Sequence, residues 1–162
     1  MREIGSIYHR NLLKALTEDF SFSLPFKAQI HKEDLVYKND NWLQIFESEV
    51  NFKKNTDYKN TYSRIKRPDF SQIILSNDSG KYLFQLRYRI GCKDFIIELP
   101  GGAIESDETP INGAKRELKE EIGLEKINLK TIGSCYMDPM RSDYKGYFFK
   151  ASLKQTIASF KD

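Results

Sequence analysis

The sequence predicts an α/β (α+β) fold for this chain of 162 residues. Several short segments alternate apolar and polar residues, which is the period of a strand, and a later segment repeats its apolar residues at helical spacing. The length suits one domain with a substantial core. An apolar content of 40% and a charged content of 30% are ordinary for a soluble globular protein.

The first forty residues, 1–40, are predicted to form an N-terminal helix and a connecting extension to a domain at 41–162. Apolar residues recur near helical spacing within residues 3–17, so a helix is predicted there. Residues 21–40 show no clear period and Pro25 interrupts them, so they are predicted to be a connection.

The strands are predicted from alternation and from the turn residues that bound them. They cover residues 42–52, 61–66, 71–76, 81–90, 95–99, 127–136 and 144–153. A polar loop is predicted at 51–60, and Asp78-Ser79-Gly80 is a turn signal. The strand at 81–90 places Gln85, Arg87 and Arg89 on its polar face.

A helix is predicted at about 110–122 because its end signals are complete. Thr109 is a suitable N-cap, Pro110 suits the first helical position, and Gly123 suits the position after the last turn. Apolar residues recur along one stripe for the core, at Ile111, Ala114, Leu118 and Ile122.

Three carboxylates share another face of this helix. Glu117, Glu120 and Glu121 are at positions i, i+3 and i+4, and Arg116 stands one turn before Glu120 and can pair with it. Like charges repel unless a positive group lies between them, and Mg²⁺ takes oxygen ligands and commonly bridges carboxylates to phosphates. The alternative is a solvated acidic face with a helix-pairing arginine.

The wider pattern resolves this choice. Residues 102–124 fit the pattern G-x5-E-x7-R-E-U-x-E-E-x-G-U, where U is aliphatic. The probability of a chance match at a given starting position is on the order of 10⁻⁹. The matching residues are Gly102, Glu108, Arg116, Glu117, Leu118, Glu120, Glu121, Gly123 and Leu124. This stretch resembles the Nudix box, the signature of the Nudix hydrolases. The resemblance implies a mixed β-sheet between helices and the hydrolysis of a nucleoside diphosphate linked to another group, assisted by Mg²⁺ or Mn²⁺.

The resemblance also implies roles for individual residues. Glu117 and Glu121 correspond to the principal metal ligands, Glu120 to a further ligand or a partner of the reacting water, and Gly101 to a carbonyl ligand. Arg116 corresponds to the arginine that orders the box through an ion pair with Glu108. We therefore expect a catalytic set of Glu120, Glu121 and Arg116.

Marks outside the box are similar to the branch that hydrolyses ADP-ribose and nucleotide sugars. They are ELPGGAIE at 98–105 and Pro139, fifteen residues after Leu124. In that branch an arginine before the box contacts the diphosphate, which corresponds to Arg87, and aromatic residues such as Trp42 can stack on adenine near a dimer interface. The alternatives are that Pro139 is only a turn proline, that Arg87 is only an exposed arginine, and that Trp42 belongs to the core.

One departure concerns the general base. The branch often uses a glutamate well after the box, but this chain contains none after Glu125, and the C-terminal part of the domain looks short. Two alternatives therefore stay open. The chain could hydrolyse another nucleotide class, a nucleoside triphosphate or a dinucleoside polyphosphate, or it could be a catalytically weak nucleotide-binding module.

Charge and composition limit the kinds of binding partner that we expect. The net charge is +3 and the basic residues are scattered, which argues against nucleic acid as a partner. No stretch is long and apolar enough to span a membrane, and no secretory signal is evident. Cys92 and Cys135 are predicted to be reduced thiols of a cytoplasmic protein. We expect a small nucleotide sugar as the substrate, and the resemblance allows a homodimer.

Overall fold

The structure is a computed structural model that describes residues 28–40, 42–51 and 60–153. This part contains one helix, α1, and nine strands, β1–β9. They are β1 (Gln29–Asn39), β2 (Leu43–Asn51), β3 (Asn60–Lys66), β4 (Phe70–Asn77), β5 (Gln85–Arg89), β6 (Asp94–Glu98), β7 (Gly101–Ala103), α1 (Pro110–Ile122), β8 (Lys130–Tyr136) and β9 (Lys145–Leu153). In these ranges no helix is long and apolar enough to cross a membrane.

The central sheet has four strands in the order β7-β4-β9-β8, and α1 packs on it. β4 pairs in parallel with β9, whereas the β4–β7 and β8–β9 pairs are antiparallel. The mixed sheet implied by the resemblance is therefore confirmed. Ile73 and Leu75 of β4 and Ala114 and Leu118 of α1 are fully buried in one core. Burying a side chain such as leucine contributes roughly 1.5–3 kcal/mol, so this contact fixes which face of α1 is left for the glutamates.

A second sheet has the antiparallel order β1-β2-β3. The prediction that residues 29–39 form a connection is wrong, because they form β1 and pair with β2. All eleven residues of β1 are exposed, so neither face needs an apolar pattern, and the sequence carries no period. This pairing crosses the predicted boundary between residues 40 and 41, and the division into extension and domain stays a prediction. The predicted helix at 3–17, most of the 51–60 loop and residues 154–162 lie outside the described residues.

Polar contacts join this second sheet to the loop before β9. Arg64 of β3 donates to Glu33 of β1 at 2.8 Å and to Asp143 at 3.3 Å. The backbone N–H of Ile65 donates to the carbonyl of Arg141 at 2.7 Å. The end of β3 is thereby held beside the central sheet.

The remaining strands, β5 and β6, form an antiparallel hairpin. The strand predicted at 81–90 is shorter in the structure, where β5 covers only 85–89. Residues 82 and 83 instead pair with residues 76 and 75 of β4. The predicted alternation is confirmed. Leu86 and Tyr88 are exposed on one face, while Gln85 and Arg87 of the other face reach α1.

Candidate active site

The ends of α1 are formed by the residues that the sequence predicts. The Thr109 hydroxyl accepts a hydrogen bond from the Asn112 N–H at 3.4 Å, and Pro110 is the first helical residue. Gly123 adopts a left-handed conformation with φ of 74°, and its N–H donates to the Lys119 carbonyl at 3.0 Å. The helix that carries the glutamates is thus fixed at both ends.

Arg116 is the centre of an ion-pair network. It donates to Glu108 at 2.8 Å, to Glu117 at 2.9 Å and to Glu120 at 3.0 Å. It also donates to the carbonyl of Ala103 at 2.8 Å, which ties the helix to β7. The Arg116–Glu120 pair predicted from the one-turn spacing is confirmed. Hydrogen bonding to Arg116 holds the pKa of Glu108 below its usual value, and the Glu108 carboxylate in turn raises the pKa of Arg116.

The glutamates paired with Arg116 differ in exposure. The Glu117 side chain is 13% exposed, whereas that of Glu120 is 57% exposed. Burial raises the pKa of Glu117 although Arg116 lowers it, so the ionised carboxylate is poorly compensated. A Cβ atom at Gly102 would lie only 2.4 Å from the Glu117 carboxylate. The glycine therefore provides the space in which this carboxylate lies.

Glu121 is held by donors from other elements. Its side chain is 9% exposed, and it accepts from the Gly101 N–H at 3.0 Å and from Gln85 at 3.1 Å. Arg87 forms an ion pair with the same carboxylate. Gln85 was not predicted as a site residue, although its place on the polar face with Arg87 was the available signal.

Gly101 and Arg89 have structural contacts of their own. Gly101 has φ of +142°, and a Cβ atom there would lie 2.1 Å from the carbonyl oxygen of Ser71. Its predicted role as a carbonyl ligand of a metal stays a prediction. Arg89 donates to both carboxylate oxygens of Glu98 at 2.9 Å, which braces the hairpin.

The carboxylate oxygens of this region are ligands of the type that a hard divalent cation binds. Glu117 and Glu121 are partly buried carboxylates, and the charge of Glu117 is poorly compensated. Within the described ranges, however, no three His, Cys, Asp or Glu side chains are grouped so that they could hold a metal ion. Glu117 and Glu120 instead both pair with Arg116, Glu121 pairs with Arg87, and the assignment of the three as ligands stays a prediction.

A cleft of about 1180 Å³ opens beside the box. Its lining includes the loop at 103–108 together with Arg116 and Glu117, and also Trp42 and Lys66. Trp42 is 65% exposed, so the alternative that it belongs to the core is wrong.

A smaller cleft of about 440 Å³ shares Trp42 and Arg67 with the first and reaches Gly101 and Gly102. Some predicted site residues border neither of these two clefts: Arg87, Glu120, Glu121 and Pro139. Pro139 lies exposed in the turn after β8, and its predicted substrate contact stays a prediction.

Comparison with known families matches the NUDIX domain to residues 66–161, which is more than half of the chain. The chain belongs to the Nudix family. The match includes the whole box and the strands around it. The family identified from the box residues is thus confirmed.

Curated relatives of this chain carry different names. "Putative nudix hydrolase 2" of Caenorhabditis elegans is 30% identical over 129 residues, which cover 71% of this chain and 56% of that protein. "ADP-ribose pyrophosphatase" of Bacillus subtilis is 31% identical over 87 residues, covering 54% of this chain and 47% of that protein. "RNA pyrophosphohydrolase" of a Marinomonas species is 43% identical over 61 residues, covering 38% of this chain and 35% of that protein. The chain thus spans about half the length of the first two relatives.

Proposed function

We propose that this Nudix chain is a hydrolase that uses Mg²⁺ or Mn²⁺ to cleave the diphosphate of ADP-ribose or a related nucleoside diphosphate sugar. The products would be a nucleoside monophosphate and a sugar phosphate. The observation that carries the proposal is the Arg116 network, which holds Glu108 and Glu117, two partly buried glutamates of the box, beside an open cleft.

Glu117 and Glu121 would hold the metal, with Glu120 as a further ligand or a partner of the reacting water. A bound divalent cation neutralises diphosphate charge and lowers the pKa of water. Arg116 and Glu108 keep the loop at 103–108 in register with α1. Of the three glutamates Glu120 is the one whose side chain is mostly exposed, so a water molecule would reach its carboxylate more readily than the other two.

Substrate choice rests on features outside the box. The exposed indole of Trp42 offers a flat apolar surface to an adenine base at the edge of both clefts. Arg87 would add positive charge on the α1 side of the site, and the turn with Pro139 would shape the site for the distal ribose. The ELPGGAIE stretch and the name of the Bacillus subtilis relative favour ADP-ribose.

A second candidate is cleavage of a chain of phosphates, as in a nucleoside triphosphate, a dinucleoside polyphosphate or the phosphorylated end of RNA. The relatives named RNA pyrophosphohydrolase favour it, but they match a shorter part of this chain than the first two relatives do. A nucleotide-binding module with weak catalysis is the third candidate, because residues 126–153, which include β8 and β9, contain no glutamate.

Turnover with a substrate panel tests the proposal. Purified protein with Mg²⁺ is assayed on ADP-ribose, ADP-glucose, dATP, a diadenosine polyphosphate and RNA with a 5′-triphosphate, with Glu121→Gln as the inactive control. We expect kcat/KM for an ADP-sugar to exceed that for dATP at least tenfold, a difference of roughly 1.4 kcal/mol. A preference for dATP, the dinucleotide or RNA would contradict the proposed substrate but not the hydrolase. Nucleotide binding without turnover would favour the binding module.

We also propose a cytoplasmic location and a homodimer. Support for a reducing compartment comes from the two cysteines, Cys92 and Cys135, which are both exposed free thiols. Light scattering of the purified protein tests the dimer, and a monomeric mass at micromolar concentration would contradict it.

A further inference from the structure

One hydroxyl group in the core of the central sheet has no hydrogen-bond partner. Ser71 of β4 is fully buried, and among the buried side-chain oxygen and nitrogen atoms of the described residues its Oγ atom is the one that lacks a partner. A buried hydroxyl that stays unpaired lowers stability, and an alanine at the same position would avoid that loss. Ser71 is therefore a candidate for a role that needs the hydroxyl.

Ser71 lies on the face of β4 that packs against α1. Ser71, Ile73 and Leu75 alternate with less buried residues along the strand, and Ile73 and Leu75 belong to the core that supports α1. The antiparallel register of β4 and β7 places Ser71 directly opposite Gly102. Residues opposite each other in such a pair point to the same face, with their Cβ positions about 4.5–5.5 Å apart. The Ser71 side chain is thus the neighbour of any side chain that Gly102 would carry.

The carboxylate of Glu117 occupies the place of that missing side chain. A Cβ atom at Gly102 would lie 2.4–2.6 Å from the carboxylate carbon and from both carboxylate oxygens. Arg116 donates to the Oε1 atom at 2.9 Å, whereas no hydrogen bond from a described residue reaches the Oε2 atom. A hydroxyl without a partner and a carboxylate oxygen without a donor therefore lie beside the same glycine.

We propose that Ser71 is a positioning residue for Glu117, and that its hydroxyl donates to Oε2 of Glu117 when this glutamate binds a divalent cation. The inference rests on the proposed function for the role of Glu117 as a ligand. The two groups can meet with little movement, because the hydroxyl hydrogen rotates and the carboxylate ends a flexible side chain. A hydrogen bond to an ionised carboxylate is stronger than one between neutral groups. It fixes the orientation of the carboxylate, as partners of metal-binding side chains commonly do.

The proposal predicts opposite effects of the hydroxyl in the two states of the protein. Without a cation the hydroxyl is an unpaired polar group that lowers stability, whereas with a cation it supports a ligand. Ser71→Ala is therefore expected to raise the Tm in EDTA and to weaken cation binding. A serine with a purely structural role predicts the reverse for the Tm, because the loss of a satisfied buried hydroxyl lowers stability.

Cation binding can be measured without turnover. Mn²⁺ is titrated into the purified full chain, the free ion is followed by electron paramagnetic resonance, and the Tm of each variant is recorded in EDTA. We expect Ser71→Ala to bind Mn²⁺ about tenfold more weakly than the wild type and to unfold at a higher Tm in EDTA. Ser71→Cys keeps a weaker donor, so its affinity for Mn²⁺ should lie between those of the wild type and Ser71→Ala.

Ser48 provides the matched control. This serine of β2 is only 4% exposed, and its hydroxyl donates to the carboxylate of Glu33 at 2.8 Å. It lies outside the box and borders neither cleft. Ser48→Ala should therefore lower the Tm in EDTA and leave the affinity for Mn²⁺ unchanged. Each variant removes one buried hydroxyl, but the expected effects on the Tm have opposite signs.

Three results would overturn the proposal. They are a wild type that does not bind Mn²⁺, a Ser71→Ala variant with wild-type affinity for Mn²⁺, and a Ser71→Ala variant whose Tm in EDTA is lowered. The substrate panel is a separate test, so the two proposals can fail independently. Turnover of ADP-ribose with an unchanged Mn²⁺ affinity in Ser71→Ala would remove the role of Ser71 alone. A weakened affinity in Ser71→Ala without any turnover in the wild type would remove only the hydrolase.

Discussion

The contact between Gly102 and Glu117 predicts that Gly102→Ala damages the reaction far more than the fold. An added Cβ would meet the Glu117 carboxylate at 2.4–2.6 Å, whereas carbon and oxygen in contact are normally about 3.3–3.6 Å apart. The carboxylate must therefore move by about 1 Å. Since its atoms are at the end of a flexible side chain, the move should cost only about 1 kcal/mol of unfolding free energy. A misplacement of about 1 Å at a reacting site costs on the order of 10²-fold in rate.

The neighbouring glycine provides the contrast. At Gly101 an added Cβ would collide with backbone atoms of Ser71 and Gln72 at 2.1–3.0 Å, on a residue with φ of +142°. Neither backbone can move without disturbing the β4–β7 pairing, so Gly101→Ala should cost about 3 kcal/mol or more. Gly91→Ala serves as the control, because nothing lies within 4 Å of its added Cβ.

The assay combines turnover of ADP-ribose, the rise in Tm on adding Mg²⁺, and urea unfolding. We expect Gly102→Ala to lose about a hundredfold in kcat/KM and much of the Mg²⁺-dependent rise in Tm, with a nearly unchanged metal-free Tm. Gly101→Ala should unfold at lower urea with or without Mg²⁺. A Gly102→Ala variant within threefold of wild-type turnover would refute the placement of Glu117 beside this glycine, and so would a loss of similar size in Gly91→Ala.

Three further predictions concern the ion pairs of the box. Arg116→Ala should lower both kcat and the unfolding free energy, the latter by about 2–3 kcal/mol, because the partly buried Glu108 and Glu117 lose their counter-ion. An unchanged Tm in thermal unfolding would contradict this prediction. Glu117→Gln should raise the Tm in EDTA at pH 7, because burial raises the pKa of Glu117 and the ionised form is disfavoured in the folded state. The variant should also lose the rise in Tm that Mg²⁺ causes in the wild type, and an equal or lower Tm in EDTA would count against the prediction. Since the pKa of Glu108 is lowered by Arg116, its ionised form stabilises the fold above its unfolded pKa, and that stability is lost as pH falls through the folded value. The difference in unfolding free energy between wild type and Glu108→Gln should therefore shrink between pH 5 and pH 3 in urea titrations, and a constant difference would contradict the ion pair.

The helix of the box could be predicted almost residue by residue, because its signals are local. Thr109, Pro110 and Gly123 act on backbone groups within one turn, and the apolar stripe that includes Leu118 repeats inside thirteen residues. Strand β1 could not be predicted, because its side chains are exposed on both faces and its order comes from pairing with β2. Local structure can thus be predicted from sequence where the interacting residues are close together in the chain.

The contacts of the site show the same division. The Arg116–Glu120 pair follows from one helical turn. The difference in exposure between Glu117 and Glu120 does not, because it depends on β7 and Gly102 lying against one side of α1. The partners of Glu121 come from β5 and from the start of β7, and no spacing along the chain relates Gln85 or Arg87 to it.

The position of β9 in the sheet has a consequence for the time at which the site is built. β9 lies between β4 and β8, and the bond from the Lys145 N–H to Asp69 joins residues 76 positions apart. A chain is synthesised from its N-terminus, and long-range pairing is slow because a large loop must close first. A nascent chain ending before residue 145 would already carry every residue of the box, but it would lack Phe149 of the core that supports α1. The glutamates would then stand on a helix that has no complete sheet to pack on, so the site should become competent only after synthesis has passed β9.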